Sequence, residues 1–361
     1  MTRMTGRGRP KPLPTTTVGR AAGASLPIPH PTRRKPVTTR RQLLLAAAGL
    51  CPLAPLEVRA QGWAPDRPIN LVIPFVAGGS TDVAGRILAE RMRATLGQPV
   101  VVENRTGAGG NVAAEAVVRA RPDGHTLLMG TTGLMTTNQH IYRRMGFDPL
   151  RDLAPVSMAF TSDLVIVVHP SVPARTLREL VDLAKAEPGS LSFGSSGAGA
   201  TTHTAMELFK LAAGVDMVHV PYRGSGAAMN DLLAGTIQVM MIQIAGSIGH
   251  IRDGQVRPLA VTGQRRDPTL PEVPTVAEAG LPGAEATSWG CIVAPAGTPA
   301  VALERLSAAV REAVADPAVQ ERMRSVGLEG VASSPAELAA FMRAESEKWG
   351  RVVRQAGITA N

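Results

Sequence analysis

The chain has 361 residues, 44% of them apolar and 3% aromatic. That composition excludes a disordered chain and a membrane bundle, and it argues against aromatic platforms for nucleic acid or sugar rings. The formal charge of +9 sits at one end: residues 1–60 carry eleven of the 38 Lys/Arg and one of the 29 Asp/Glu, leaving 27 basic and 28 acidic residues on the other 301. The basic balance belongs to a leader, so no nucleic-acid partner is expected.

In that leader, Arg40 and Arg41 stand directly before an apolar run, residues 43–56, and Val58-Arg59-Ala60 follows it. This is the pattern of a secretory signal cleaved near Ala60, and the arginine pair hints at twin-arginine export. The run is short and interrupted by Pro52 and Pro55, unlike a membrane span. Leu50 before Cys51 is not the small residue that lipidation requires. A periplasmic mature protein is expected. It would keep only Cys291, without an internal disulfide, and a buried structural thiol is expected there.

After the leader, strand and helix patterns alternate, which predicts an α/β fold with mainly parallel sheets. Residues 69–73 read as a strand and 81–96 as a helix, with Val83, Ile87, Leu88, Met92 and Leu96 on one face. Residues 100–102 and 127–129 read as strands flanking a helix at 113–120. Residues 156–160 and 164–168 read as two strands close together, a crossover between lobes. Thr176 and Glu179 form a capping box that opens a helix to about residue 186. Short strands follow at 192–193, 218–220, 237–242 and 259–261, with helices at 203–212 and 225–233. Residues 268–282 are proline-rich and predicted to meander. Residues 288–294 read as a second crossover strand. Two helices close the chain: one at 302–314, and one opened by Ser334 and Glu337 that is expected to bury Leu338, Phe341, Met342, Trp349 and Val352.

Two strand-to-helix loops share one design: residues 77–82 (AGGSTD) and 194–203 (GSSGAGATTH). Such loops lie at the carboxyl ends of strands, where free N–H groups and the helix dipole form an anion site. Glycines allow close backbone approach, and Ser/Thr hydroxyls add donors. Neither loop contains Arg or Lys, which suits a carboxylate better than a polyphosphate. Each loop alone also reads as an ordinary tight turn with an N-cap. Asp82 reads equally as a helix cap or as a ligand partner. His203 reads equally as a ligand donor or as the residue that orders its glycine loop.

Enzyme signatures fail. The glycine–lysine phosphate loop, the nucleophile elbow, paired Cys motifs and clustered metal ligands are all missing, so no metal, cofactor or catalytic residue is expected. Ser196 or Thr202 with His203 is the only local nucleophile–base candidate. Neighbours at a helix start point in different directions, so an exported hydrolase is the weaker alternative.

The mature chain resembles the tripartite tricarboxylate transporter substrate-binding proteins, the Bug receptors. The resemblance runs from about residue 65 to the C-terminus. It rests on residues 73–82 (IPFVAGGSTD), 101–111 (VVENRTGAGGN), 122–130 (PDGHTLLMG), 218–224 (VHVPYRG) and 271–280 (PEVPTVAEAG), in that order. It implies a two-lobed Venus-flytrap fold with a ligand cleft between α/β lobes. Lobe 1 would hold 61–161 and 287–361, and lobe 2 would hold 162–286. It implies a monomeric, non-catalytic receptor for a small carboxylate: a dicarboxylate, tricarboxylate, amino acid or aromatic acid. The expected partners are membrane transporter subunits or, alternatively, a sensor kinase. Carried onto this chain, the ligand contacts would be Phe75, Ala77, Gly78, Gly79, Ser80, Thr81 and Asp82 from the first loop. Thr131 and Thr132 would follow the third strand. Ser195, Ser196, Gly197, Gly199, Thr202 and His203 would come from the second loop, and Gln243 from the turn after Ile242. Many family members carry an acidic residue where this chain has Ile242 and Gln243. A ligand with a neutral or apolar distal end is therefore expected.

Overall fold

The computed structural model of the protein describes residues 62–359. The arginine pair, Cys51 and the cleavage position near Ala60 lie outside the described residues.

The strand β1 (Ile69–Ile73) is apolar and buried almost throughout, as a strand covered on both faces must be. It feeds α1 (Ser80–Leu96), which ends where Gly97 takes a left-handed conformation at φ 70°. Next come β2 (Val100–Asn104), α2 (Asn111–Val118) and β3 (Thr126–Thr131). β1 pairs in parallel with β2 on one side and β3 on the other. A wide turn over Gly133–Thr137 leads into the short α3 (Asn138–Ile141).

The strand β4 (Leu153–Val168) merges the two stretches read separately in the sequence. The polar residues Thr161, Ser162 and Asp163 look like a break. They stay extended because Trp289, Ser288 and Thr287 of β9 (Thr287–Pro295) pair with them and satisfy their backbone groups. The second half contains α4 (Leu177–Ala186), β5 (Ser192–Ser195), α5 (Thr201–Ala213), β6 (Val218–Pro221), α6 (Ser225–Leu233), β7 (Val239–Gln243), α7 (Ile248–Arg252) and β8 (Arg257–Val261). There β5 pairs in parallel with β6 and β7, and the far end of β4 pairs antiparallel with β7 and β8. The chain closes with α8 (Ala300–Ala315), α9 (Pro317–Arg324), β10 (Glu329–Gly330) and α10 (Pro335–Ala356).

The sheets are therefore mixed, not mainly parallel. The outer strands are parallel, while β9 meets both β3 and β4 antiparallel where the chain crosses between halves. α9 was not legible as a separate helix. Asp316 caps it by accepting from Ala318 N–H, and Pro317 occupies its first turn. Both capping boxes form as the sequence predicts. In α10, Leu338, Met342, Trp349 and Val352 are buried, but Phe341 is 38% exposed, against expectation. It packs edge-on against Trp289 at 5.2 Å from outside the core.

Each half has its own apolar core. One joins β1, β3 and β9 to α1 and α8; the other joins β4, β5 and β7 to α4 and α5. α10 ties the halves together, placing Leu338 and Met342 with the first half and Trp349 and Val352 with the second. The result is a two-lobed α/β fold, and the cleft lies where the lobes face each other.

Candidate functional site

Both glycine loops open onto one cavity of about 360 Å³. From the first lobe come Phe75, Ser80 and Thr81, then Thr131 at the end of β3. From the second come Ser196, Gly197, Gly199, Thr202 and Gln243. These nine of the expected contact residues are brought together. The other seven are not on the cavity wall, and the reason differs for each.

Ala77, Gly78 and Gly79 are exposed beside the cavity, and Gly78 serves the loop through its positive φ of 85° and an N–H that donates to Asp82 Oδ2 at 2.9 Å. Asp82 is 2% exposed. Arg86 Nε donates to Oδ2 at 2.9 Å, and Asn104 Nδ2 donates to Oδ1 at 2.8 Å. The Arg86 guanidinium, with the Gly78 and Asn104 donors, holds the Asp82 carboxyl down to about 2. Asp82 is thus fully engaged in shaping its own loop. Thr132 is buried and locks β3 to β9: its Oγ1 accepts from Trp289 N–H at 2.9 Å.

Ser195 is buried, accepts from Gly197 N–H and pairs with His219 Nε2 at 2.7 Å. His203 lies beneath its loop, where Nδ1 accepts from Gly199 N–H at 3.0 Å. Its ring stacks on His219 at 3.6 Å, and its Nε2 faces Glu207 at 3.7 Å. The bond to Gly199 fits the loop-ordering reading of His203. Burial and the neighbouring His203 push the His219 imidazole down to about 4. Thr202 closes the frame: its Oγ1 accepts from Ser196 N–H at 2.9 Å.

These internal bonds leave other groups for a ligand. The N–H groups of Ser80, Thr81, Ala198, Thr201 and Thr202 find no acceptor among the described residues. Four of them belong to the first turns of α1 and α5, where the dipole adds to their pull on an anion.

The rest of the wall comes from residues far apart in sequence. Tyr142 and Ile141 end α3, Gly109 sits in a left-handed turn at φ 63°, and Phe160, Ser162 and Ser288 lie on the crossover strands. Phe160 and Ser162 alternate with Thr161, and Ser288 with Thr287, so the β4–β9 pair presents one face to this cavity. Gly290 has no side chain there, and the Phe160 ring lies across it. Only Gly109, within the motif at 101–111, carried a sequence signal. The strand residues carried none, because facing depends on the register of β4 against β9.

The lobes touch beside the cavity. Gly199 abuts Ile141, and Gly327 packs so tightly on Ala245 that a Cβ there would fall 2.0 Å from the Ala245 methyl. The one described cysteine, Cys291, is fully buried and its thiol is pushed up by burial, so it is packing and not a nucleophile. No helix among the described residues is long and apolar enough to cross a membrane. No group of three metal-ligating side chains occurs among them either.

A two-lobed α/β fold with a cleft fed by two helix N-termini defines a solute-binding receptor. Comparison with known proteins agrees: the model of the tripartite tricarboxylate transporter family receptor matches residues 84–358, and the chain belongs to that family. Among solved structures, it is similar to Rpa4515 of R. palustris with adipate, at 37% identity, TM-score 0.72, covering 82% of this chain and 99% of that one. It is similar to the periplasmic binding protein BugD at 35% identity and TM-score 0.69, covering 82% and 100%. MatC of Rhodopseudomonas palustris, with bound malate, shares 32% identity and TM-score 0.68, covering 80% and 99%.

Proposed function

We propose that this receptor captures a small carboxylate in its interlobe cavity, outside the cytoplasmic membrane, and delivers it unchanged to the membrane subunits of a tripartite tricarboxylate-type transporter. The observation that carries the reading is the pair of helix N-termini with free N–H groups, opening on one cavity whose wall has no charged side chain. Such a site favours an anion without matching the charge density of a polyphosphate. The adipate and malate held by similar proteins support the same ligand class. The lobes are taken as residues 61–161 with 287–361 and 162–286, a division supported by the separate cores except along α10, whose Trp349 and Val352 pack with the second. Export with cleavage near Ala60 is supported by the pattern of residues 40–60.

A non-catalytic role is supported by the state of each nucleophile candidate. Ser196 and Thr202 bond to each other, His203 Nδ1 is occupied by Gly199, and the Ser195–His219 pair does not reach the cavity wall. The test is thermal melting of purified, ligand-stripped protein against mono-, di- and tricarboxylates. A ligand at a hundred times its Kd adds about 2.7 kcal/mol to folding stability, a clear rise in Tm. No rise with any carboxylate would overturn the reading.

A further inference from the structure

The cavity wall lacks more than enzyme chemistry. Among its lining residues there is no Arg, Lys, His, Asp or Glu side chain. Acidic groups on the elements around the cavity are committed elsewhere: Asp82 to Gly78, Arg86 and Asn104, Asp163 to Thr287 Oγ1 at 2.9 Å, and Glu345 to the Trp289 and Trp349 indole N–H groups. We propose that the ligand is a monocarboxylate with an uncharged ring as its body, an aromatic acid, and not an amino acid or a dicarboxylate. The proposal rests on the carboxylate reading above and narrows it.

The argument is one of charge and surface. A ligand ammonium enclosed here would lose its water without gaining a carboxylate, and a buried unpaired charge costs several kcal/mol. The positive potential comes from two helix N-termini, each roughly half a unit charge, about enough for one carboxylate. Arg86, the basic side chain tied to the first loop, is turned to Asp82 and Asn104 instead of the cavity.

Outside the two loops the wall mixes uncharged polar residues such as Asn138, Ser162 and Ser288 with apolar ones, and it is rich in rings. The chain has only six Phe, three Trp and two Tyr, yet Phe75, Phe160 and Tyr142 meet at this cavity. Ile141, Leu134, Trp289 and Leu328 add to the apolar lining. Aromatic walls favour a flat ring through edge and face contacts. The volume of about 360 Å³ lies at the small end of the roughly 300–1,000 Å³ range of ligand pockets, which suits one ring. The Gln243 side-chain amide and the Tyr142 hydroxyl, neither hydrogen-bonded to another described residue, offer neutral contacts to a ring substituent.

The experiment is calorimetric titration of ligand-stripped protein with benzoate, 4-hydroxybenzoate, adipate, malate, aspartate and glutamate. Expected is binding of a ring monocarboxylate at least about tenfold tighter than either dicarboxylate, a gap of about 1.4 kcal/mol, with the two amino acids weakest. Tighter binding of adipate, malate, aspartate or glutamate would overturn the ring-acid proposal while leaving the carboxylate reading standing. Failure of every acid to bind would remove both. The variant Gln243→Glu puts a carboxylate on the wall and is expected to weaken the ring acid about tenfold or more. Unchanged affinity in a variant with wild-type Tm would also overturn the proposal.

Discussion

The loop before α1 and the loop before α5 deliver the same product, a helix N-terminus aimed at the cleft, but they are held by different chemistry. The first is organised by charge: Asp82 gathers Gly78, Arg86 and Asn104 around one buried carboxylate. The second is organised by neutral groups: the Ser195 and Thr202 hydroxyls and the stacked imidazoles of His203 and His219. In both, side chains off the cavity wall (Asp82 in one, Ser195 and His203 in the other) help to fix the backbone that faces it, with Thr202 on the wall itself. A binding loop made of N–H groups needs such a second layer, because glycine-rich backbone has too much freedom to hold a shape unaided.

The largest expected effect breaks the first loop. Asp82→Ala removes three hydrogen bonds and strands the Gly78 and Asn104 donors, for a loss of about 3 kcal/mol in folding stability and weaker ligand binding. Chemical denaturation with and without ligand measures both. If Asp82→Ala melts like the wild type, the charged loop is not held as described.

Somewhat smaller is His203→Ala, which leaves Gly199 N–H without its acceptor. A cost of about 1–2 kcal/mol is expected, with ligand affinity falling more than global stability does. Equal affinity in the two proteins, measured by calorimetry, would show that the imidazole does not order the loop.

Acid separates the loops without mutation. His219 is held near 4, below the ordinary histidine range around 6.5, so folding favours its neutral form. Its contribution is complete above about pH 6.5 and is lost as pH falls toward 4. The groups around it act in both senses: His203 and Lys210 oppose its charge, and Glu207 favours it. Asp82, held near 2, contributes fully above about pH 4 and fails only as pH drops toward 2. Between pH 7 and 5, protection factors corrected for the intrinsic pH dependence of exchange should therefore fall in residues 195–203 and stay unchanged in residues 77–82. His219→Gln should remove that difference.

The smallest contrast concerns two glycines with left-handed backbone, Gly78 at φ 85° and Gly199 at φ 75°. A Cβ at Gly78 meets nothing within 4 Å, so Gly78→Ala carries only the conformational cost of about 1 kcal/mol. A Cβ at Gly199 would stand 2.3 Å from Ile141 Cδ1, across the lobe contact. Gly199→Ala is therefore expected to weaken ligand binding beyond what its effect on Tm accounts for, and Gly78→Ala is not.

Much of this was legible in the chain. The strand-to-helix alternation, both capping boxes and both glycine loops follow from short-range rules: side-chain periodicity, local hydrogen bonds and the need for positive φ. Family membership was carried by ordered local motifs. The roles of Asp82, Ser195 and His203 were not legible, since a side chain beside a ligand loop can face the ligand or brace the loop. Only the neighbours decide: Arg86 and Asn104 in one case, Gly197, Gly199 and His219 in the other. Nor could the sequence make β4 one strand, because Thr161, Ser162 and Asp163 are held extended by partners more than 120 residues away. By itself the sequence determined most of the elements, the two glycine loops and their lack of Arg and Lys, all matters of neighbouring residues. The tertiary structure alone decided which faces meet across the cleft, and so placed Phe160, Tyr142 and Ser288 on one wall with no charge among them. Register and lobe packing are long-range properties, and no local pattern encodes them.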